Sequence, residues 1–591
     1  MSEVKYQVLA GMLSKIEDTS KRKEMTNYLV ELFKATPPDH IRVVIGLIRG
    51  SPYPDYEDFQ YGMAEKMVIK SIANATGLTT DQIVGKMKEK GDLGKAAEEE
   101  LATKKQTTLF TKPLDAKYMS ATLDKIGRTS GKGSVDIKIK LLAGLLTNAT
   151  PLEARYIIRT ILGQMRLGMA DMTIMDALAI AYTDDATNRP IIERAFNISS
   201  DLGLIAEKLV KEGIASVKDF KVTIRHPIRM MMAQRSGETE EIFEKLKGTF
   251  IAEFKYDGER LQIHKDGETI LLFSRRLEEI SEQYPDVCEM VRTQIRANKT
   301  IIEGEVVAYN IETGELRPFQ ELMHRRRKYG IKEAMKAIPV NLFLFDLLYL
   351  EDKDFTNKNY PLRRKALEGI VTETEQLRLA AQKEVINEDE LEEFFELAVE
   401  KGCEGIMAKS IQDSIYQAGA RGWLWIKYKR DYKSEIADTL DLVVIGAYMG
   451  YGARTGYYGS LLMACYDPIE SQFKSVCRMG SGFTDEHLET LQKLLKPYQV
   501  SDKPPRVFIN DSIIPTVDAW FKPAIVLEVQ AAELTLSPVH TCALDKIRKG
   551  SGLAMRFPRF TGRIRDDKTA EQATSQQEII DLFRGQLKRI E

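Results

Sequence analysis

The spacing of apolar residues changes twice along these 591 residues, and that change constrains the fold more than any other feature. Up to about Phe220, apolar residues recur at three and four positions in "EMTNYLVELFKAT", "VDIKIKLLAGLLTNAT" and "LEARYIIRTILGQMRLGM", the pattern of helices with one buried stripe. Thr150-Pro151-Leu152-Glu153 reads as a capping box with proline at the first helical position. In "KVTIRHPIRMMMAQR" (221–235) the helical period stops and Pro227 holds its predecessor extended, which predicts a connector. Strand signals follow: "IAEFKYD", "RLQIHKDGETILLFS" with Asp266-Gly267 as a hairpin turn, "TIIEGEVVAY" and "VNLFLFDLLYL", with helices such as "DELEEFFELAVEKG" between them. Past "KYKRDY" come the short strands "LDLVVIGAYMG", "SLLMACYD", "FKSVCRMG" and "AIVLEVQAAELTL", the makings of a small barrel. The expected architecture is multi-domain α+β: all-helical over 1–222, α+β over 223–430 and a β-barrel over 431–591.

A chain of this length exceeds one hydrophobic core, in keeping with several domains. Its formal net charge of -2 sums 85 basic and 87 acidic residues, so any grip on nucleic acid must come from local basic surfaces. The densest cluster is "HRRRKYG" (324–330), more a solvated loop than a base reader. Cys288, Cys403, Cys465, Cys477 and Cys542 form no C-x-x-C pair, which argues against a zinc ribbon or a disulfide framework and for a reducing compartment. The N-terminus lacks a signal-peptide layout, and the most apolar run is short and carries Asp346, so a soluble cytoplasmic protein without membrane contact is expected.

The chemistry concentrates in "EFKYDGER", where Lys255, Asp257, Gly258 and Arg260 form K-x-D-G-x-R. A lysine on a half-buried strand is ordinarily a snorkelling surface residue. Its chemical use is attack by the neutral amine on phosphorus, which needs burial and neighbouring cations to favour the neutral form. Such an attack builds charge on phosphoryl oxygens, which fixed cations and a hard metal ion stabilise. Glu305 and Glu404 are candidate carboxylates for that ion, with magnesium the default and manganese its substitute.

The order of further segments resembles the covalent nucleotidyltransferases, specifically the ATP-dependent DNA ligases of archaeal and eukaryotic replicative type, over nearly the whole chain. The resemblance implies that Lys255 becomes adenylylated, Glu253 helps recognise adenine, and Arg260 contacts the phosphate or ribose side. "FSRR" places Ser274 and Arg275 near the ribose and the DNA 5′-phosphate; "IIEGEVVAY" makes Glu305 the acidic residue near ribose and metal; "LFLFDLLYL" makes Phe345 an adenine-stacking ring. "CEGIMAKS" implies Glu404 at the metal and Lys409 at a phosphate, and "WLWIKYKRDY" directs Lys427 and Lys429 at the α-phosphate. "MRFPRFTGRIRDDK" resembles the C-terminal motif, making Arg565 and Lys568 the residues that orient pyrophosphate.

The same resemblance implies a DNA-binding helical domain, an adenylation core and an OB-fold closing as a monomer around nicked duplex DNA. Sealing in replication, repair and recombination would use ATP and a divalent metal. Through "KKQTTLFTKPL", Gln106, Leu109 and Phe110 resemble a shortened peptide for a sliding clamp of the PCNA type. RNA-joining and capping enzymes share the lysine motif but not the helical N-terminal part or the "RFPRF" terminus. NAD-dependent ligases share it with a four-cysteine zinc site that this sequence lacks. A silent DNA-binding scaffold is the rival of another class, and it predicts that Lys255→Ala changes nothing.

Overall fold

Helices fill the N-terminal part, from Tyr6–Glu17 to Ile214–Lys218, each burying one apolar stripe. The computed structural model describes residues 4–57, 59–103, 113–309, 316–317, 319–325, 327, 330–429, 439–450, 454, 456–511, 513–514, 517–530, 533–537, 539–556 and 558–588. The expected clamp-binding residues Gln106, Leu109 and Phe110 lie outside these, as do Arg326, Lys328 and Tyr329 of "HRRRKYG". The capping box forms: Thr150 Oγ1 accepts the Glu153 N–H at 3.3 Å, and the Glu153 carboxylate accepts the Thr150 N–H at 2.7 Å. The helix Pro151–Ile161 starts there because both orphan donors are satisfied. No helix of the described residues is long and apolar enough to cross a membrane.

The chain divides into two compact units, Met1–Val84 with Leu93–Tyr432 and Gly85–Asp92 with Lys433–Glu591. Within the first, the central strands are β1 (Met232–Arg235), β2 (Phe250–Lys255), β3 (Glu259–Asp266), β4 (Thr269–Ser274), β5 (Lys299–Ala308), β6 (Val340–Leu350), β7 (Lys353–Asp354), β8 (Leu377–Leu379), β9 (Gln382–Val385), β10 (Gly405–Ser410) and β11 (Arg421–Lys429). They form one sheet in the order β1-β11-β10-β2-β9 and another in the order β4-β3-β5-β6-β7, with β8 beside β6. The Asp266-Gly267 hairpin forms, with Asp266 opposite Thr269 and Gly267 at φ 60°. One core packs Phe250, Ala252 and Ile406 against Leu391 and Phe395 of the helix Glu388–Glu400. The other packs Leu261, Ile263 and Ile302 against Val287 and Val291 of the helix Pro285–Gln294.

Part of the expected connector proves to be a strand, because Met232–Arg235 pairs in parallel with β11. The preceding backbone is fastened by side chains of β3 and beyond. Gln262 accepts the Ile228 N–H at 2.7 Å and donates to the Ile228 carbonyl at 3.0 Å, while the Met231 N–H donates to the Tyr416 hydroxyl at 2.8 Å.

In the second unit β12 (Leu440–Met449), β13 (Tyr458–Asp467) and β14 (Gln472–Met479) pair antiparallel in sequence. The lower half of β12 pairs with Val526–Gln530 and its upper half with Ala519–Phe521, so the sheet curls around a core of Leu442, Leu461, Met463 and Leu527. This is the OB-fold part. "AIVLEVQAAELTL" splits into Val526–Gln530 and Glu533–Ser537, which joins Gly552–Arg556 in a separate two-stranded sheet. The helices Asp485–Leu495 and Gln576–Lys588 add to the strands expected there. All five cysteines are free and buried.

Candidate active site

The K-x-D-G-x-R segment is the step from one central sheet to the other. Lys255 is the last residue of β2, Tyr256 to Gly258 cross over, and Arg260 lies in β3. Tyr256 stacks on Phe343 of β6 with ring centres 3.9 Å apart, which holds the crossover against the second sheet. Gly258 is demanded by contact: a Cβ there would lie 2.2 Å from the carbonyl oxygen of Val306 on β5. The crossover therefore places Lys255 at the mouth of a cleft of about 830 Å3 between the sheets.

At the Lys255 end the charges are arranged around one carboxylate. The Glu404 N–H donates to the Lys255 carbonyl at 2.9 Å, and Gly405 pairs with Lys255 on one side and Lys429 on the other. Gly405 sits at φ 145° with no room for a Cβ, which would meet the Tyr428 carbonyl at 2.3 Å. The Glu404 carboxylate thus falls between two ammonium groups, ion-paired with Lys255 and with Lys429 at 2.5 Å. Burial pushes its pKa up, but the two lysines more than reverse this and hold it at about 2. Lys427, two residues before on β11, has its pKa lowered by burial and by the Lys429 and Lys255 charges. Arg275 is exposed at the rim.

Two further carboxylates face the same space. Glu305 on β5 is half-buried, forms no hydrogen bond or ion pair with any described residue, and is pushed up to about 7 by burial. Asp257 accepts the Phe319 N–H at 3.1 Å and is pushed up to about 6, by burial first and by Glu404 second. Among the described residues no three metal-ligating side chains form a ready-made cage. A lone buried carboxylate with a second nearby still fits a magnesium ion, which takes one or two carboxylates and fills its sphere with water and phosphate oxygens. Glu404, already committed to two lysines, fits that role less well than Glu305.

The inner end is aromatic and closed. Phe345 and Trp425 line it, with ring centres 6.3 Å apart. Glu253 and Lys409 are both buried there, 2.5 Å apart as an ion pair. Tyr360 donates a hydrogen bond to Glu253, and Arg364 lies 3.4 Å from it. The Lys409 ammonium stands 4.5 to 4.9 Å from the centres of Tyr360, Trp425 and Phe345, and burial lowers its pKa. The expected phosphate ligand Lys409 is therefore found beside Glu253 and Phe345, among the rings. Arg260 donates to Glu303 and to the Met231 carbonyl, each at 2.8 Å, and lies against Phe345 and Trp425.

The residues expected to bind nucleotide and metal within the first unit all line this one cleft. Arg565 and Lys568 belong to the second unit, where both grip Asp441, at 2.7 and 2.6 Å. Sequence reasoning missed Glu303, Tyr360, Arg364 and Tyr416, which orient Arg260 and Glu253 from 43 to 156 residues away. A buried aspartate in "LFLFD" was a usable signal for this region: Asp346 is paired with fully buried Arg363 at 2.8 Å, three residues beyond Tyr360.

Comparison with known proteins agrees with this geometry. Residues 230–429 match the family model described as ATP dependent DNA ligase domain, residues 5–179 that of the DNA ligase N terminus, and residues 454–568 that of the ATP dependent DNA ligase C terminal region. The chain is 49% identical to DNA ligase 2 of Thermofilum pendens, over 99% of this chain and 98% of that one. It is 45% identical to the DNA ligase of Nitrosopumilus maritimus, over 99% of both. Among solved structures, that named Pmar-Lig_PreS3 has the same fold, with a TM-score of 0.55 at 17% identity over 94% of this chain and 99% of that one. The chain belongs to the family of ATP-dependent DNA ligases.

Proposed function

We propose that this chain seals nicks between a 5′-phosphate and a 3′-hydroxyl in duplex DNA, using ATP, through an adenylate carried on Lys255. The observation that carries the reading is a single cleft lined both by Lys255, Lys427 and Lys429 and by the rings of Phe345 and Trp425. Adenine would stack on Phe345, with Glu253 and Lys409 as its polar neighbours. That leaves the α-phosphate beside Lys255, Lys427 and Lys429.

Three displacements at phosphorus follow. The Lys255 amine attacks the α-phosphorus, a P–N bond forms and pyrophosphate leaves. The 5′-phosphate of the nick then attacks that phosphorus, the P–N bond breaks and Lys255 is released. Finally the 3′-hydroxyl attacks the 5′-phosphorus, loses its proton and expels AMP. Lys427 and Lys429 stabilise charge on the transferring phosphoryl group, and Glu404 positions the Lys255 side chain, whose ion-paired ammonium must lose its proton before the amine attacks. Magnesium, or manganese in its place, would be held by Glu305 with Asp257 or Glu404, and supplies charge neutralisation at phosphate oxygens.

The finer parts of the reading rest on the sequence. Domains run over 1–222, 223–430 and 431–591; Arg565 and Lys568 orient pyrophosphate; Gln106, Leu109 and Phe110 engage a sliding clamp; and the protein works as a cytoplasmic, nucleoid-associated monomer in replication, repair and recombination. The test is incubation with ATP labelled on the α-phosphate, denaturing electrophoresis, then a chase with nicked duplex. Retained label that leaves as the nick is sealed supports the reading. Label from GTP alone, or sealing of RNA ends in preference to DNA, contradicts it.

A further inference from the structure

Arg229 lines the cleft just before β1, yet no segment of the K-x-D-G-x-R constellation includes it. Its backbone is fixed at both ends: the N–H donates to the Asn197 carbonyl at 2.7 Å, and its own carbonyl accepts the Gly419 N–H at 2.8 Å. Its guanidinium lies on the Phe196 ring at 4.2 Å. The position of this cation is therefore set in advance, while its charge is poorly met. Asp55 is 3.3 Å away and Asp171 3.7 Å, and both carboxylates make shorter contacts to Arg49, at 3.2 and 3.1 Å. The Nε is buried without a partner among the described residues.

Two other buried arginines hold a carboxylate of their own. Arg363 grips Asp346 with two bonds of 2.8 and 2.9 Å, and Arg325, whose Nε likewise has no partner among the described residues, grips Asp286 with two of 2.7 and 2.8 Å. Around Arg229, burial first and the neighbouring Arg49 charge together lower the pKa by more than the two carboxylates raise it, so the site asks for more negative charge than it has. Asp55, which also lines the cleft, is 45% exposed and can return to water cheaply.

We propose that Arg229 is a phosphate-binding residue of this cleft, and that Asp55 of the helical part stands in for the phosphate until substrate displaces it. The ligand is a phosphoryl oxygen, of the nucleotide or of the nicked strand. A planar guanidinium held by its stem suits a bidentate phosphate contact. The carboxylate contact is then a built-in competitor: substrate must displace Asp55, which keeps Arg49 as its partner. This inference rests on the function proposed above.

The test compares wild type, Arg229→Ala, Asp55→Asn and the double variant. Two quantities are read: the KM for ATP in forming the lysyl adduct, and the affinity for nicked duplex with a 5′-phosphate over a series of salt concentrations. Arg229→Ala is expected to weaken one of the two by about tenfold, the worth of one charge-assisted hydrogen bond. Asp55→Asn is expected to strengthen the same one, and to have no effect once Arg229 is gone. A change in KM assigns the nucleotide phosphates. A change in DNA affinity, with a salt slope lowered by about one ion, assigns a strand phosphate. Should Arg229→Ala fail to fold, Arg229→Gln keeps most of the stem and both backbone bonds without the charge, and the Asp55→Asn arm stands alone. The proposal is overturned if Asp55→Asn strengthens neither quantity, or if its effect survives without Arg229. A wild type that forms no adduct and ignores nicked duplex would instead sink the parent function.

Discussion

Lys255 and Gly258 show two ways a short motif constrains a protein. The lysine supplies an amine; the glycine supplies only the absence of a Cβ, since any side chain would strike the Val306 carbonyl. Gly258→Ala is therefore expected to cost about 1–3 kcal/mol of stability and to reduce adduct formation by moving Lys255. Denaturant midpoints and a labelling assay on the same preparation check this, and an unchanged variant would mean the crossover tolerates a shift. These residues were legible because they are adjacent in sequence. Tyr360, Arg364, Glu303 and Tyr416 were not, because nothing local marks a tyrosine or glutamate as the partner of a group more than 40 residues away. Lys409 was legible as a site residue, whereas its burial beside Glu253 comes from the pairing of β10 with both β2 and β11.

At the scale of elements, β3 carries a row of polar side chains that fasten the segment before β1. His264 is the member that responds to pH. Its Nδ1 accepts the Arg225 N–H at 3.0 Å, so its Nε2 carries the hydrogen donated to Gln262 at 3.0 Å. Burial first, and His226 second, hold its pKa down at about 3 from an ordinary 6.5. The unfolded chain thus takes up a proton that the folded one refuses. This contribution to stability is complete above about pH 6.5 and is lost as pH falls towards 3. Urea midpoints at about pH 7.5 and about pH 5 should separate more for wild type than for His264→Asn; equal separations would show that His264 does not couple to folding. Long strands and the capped helix Pro151–Ile161 were readable from their period and caps. The four-residue strand Met232–Arg235 was not, since its pairing partner lies almost two hundred residues away and Met-Ala-Gln-Arg carries no strand signature.

For the whole molecule, a net charge of -2 leaves the grip on DNA to local cations, and the division of labour among segments follows the three family regions. The β-rich character of the second unit was visible in its short strands, and the helix Asp485–Leu495 had a local signal too, the Thr484 cap and the spacing of Leu488, Leu491 and Leu495, while the split of Val526–Ser537 into two sheets depends on packing. Arg565 and Lys568 share one carboxylate there, Asp441, so they are presented together. If they orient pyrophosphate, Arg565→Ala with Lys568→Ala should slow adduct formation from ATP by at least about tenfold and spare the sealing of DNA supplied already adenylated. Equal losses in both assays would place them elsewhere in the reaction. The most direct measurement is mass spectrometry of the peptide holding Lys255 after treatment with ATP and magnesium, under conditions that preserve a P–N bond. The account predicts the added mass of one AMP on that lysine, released by nicked duplex; an unmodified Lys255, with the label absent or on another residue, would contradict it.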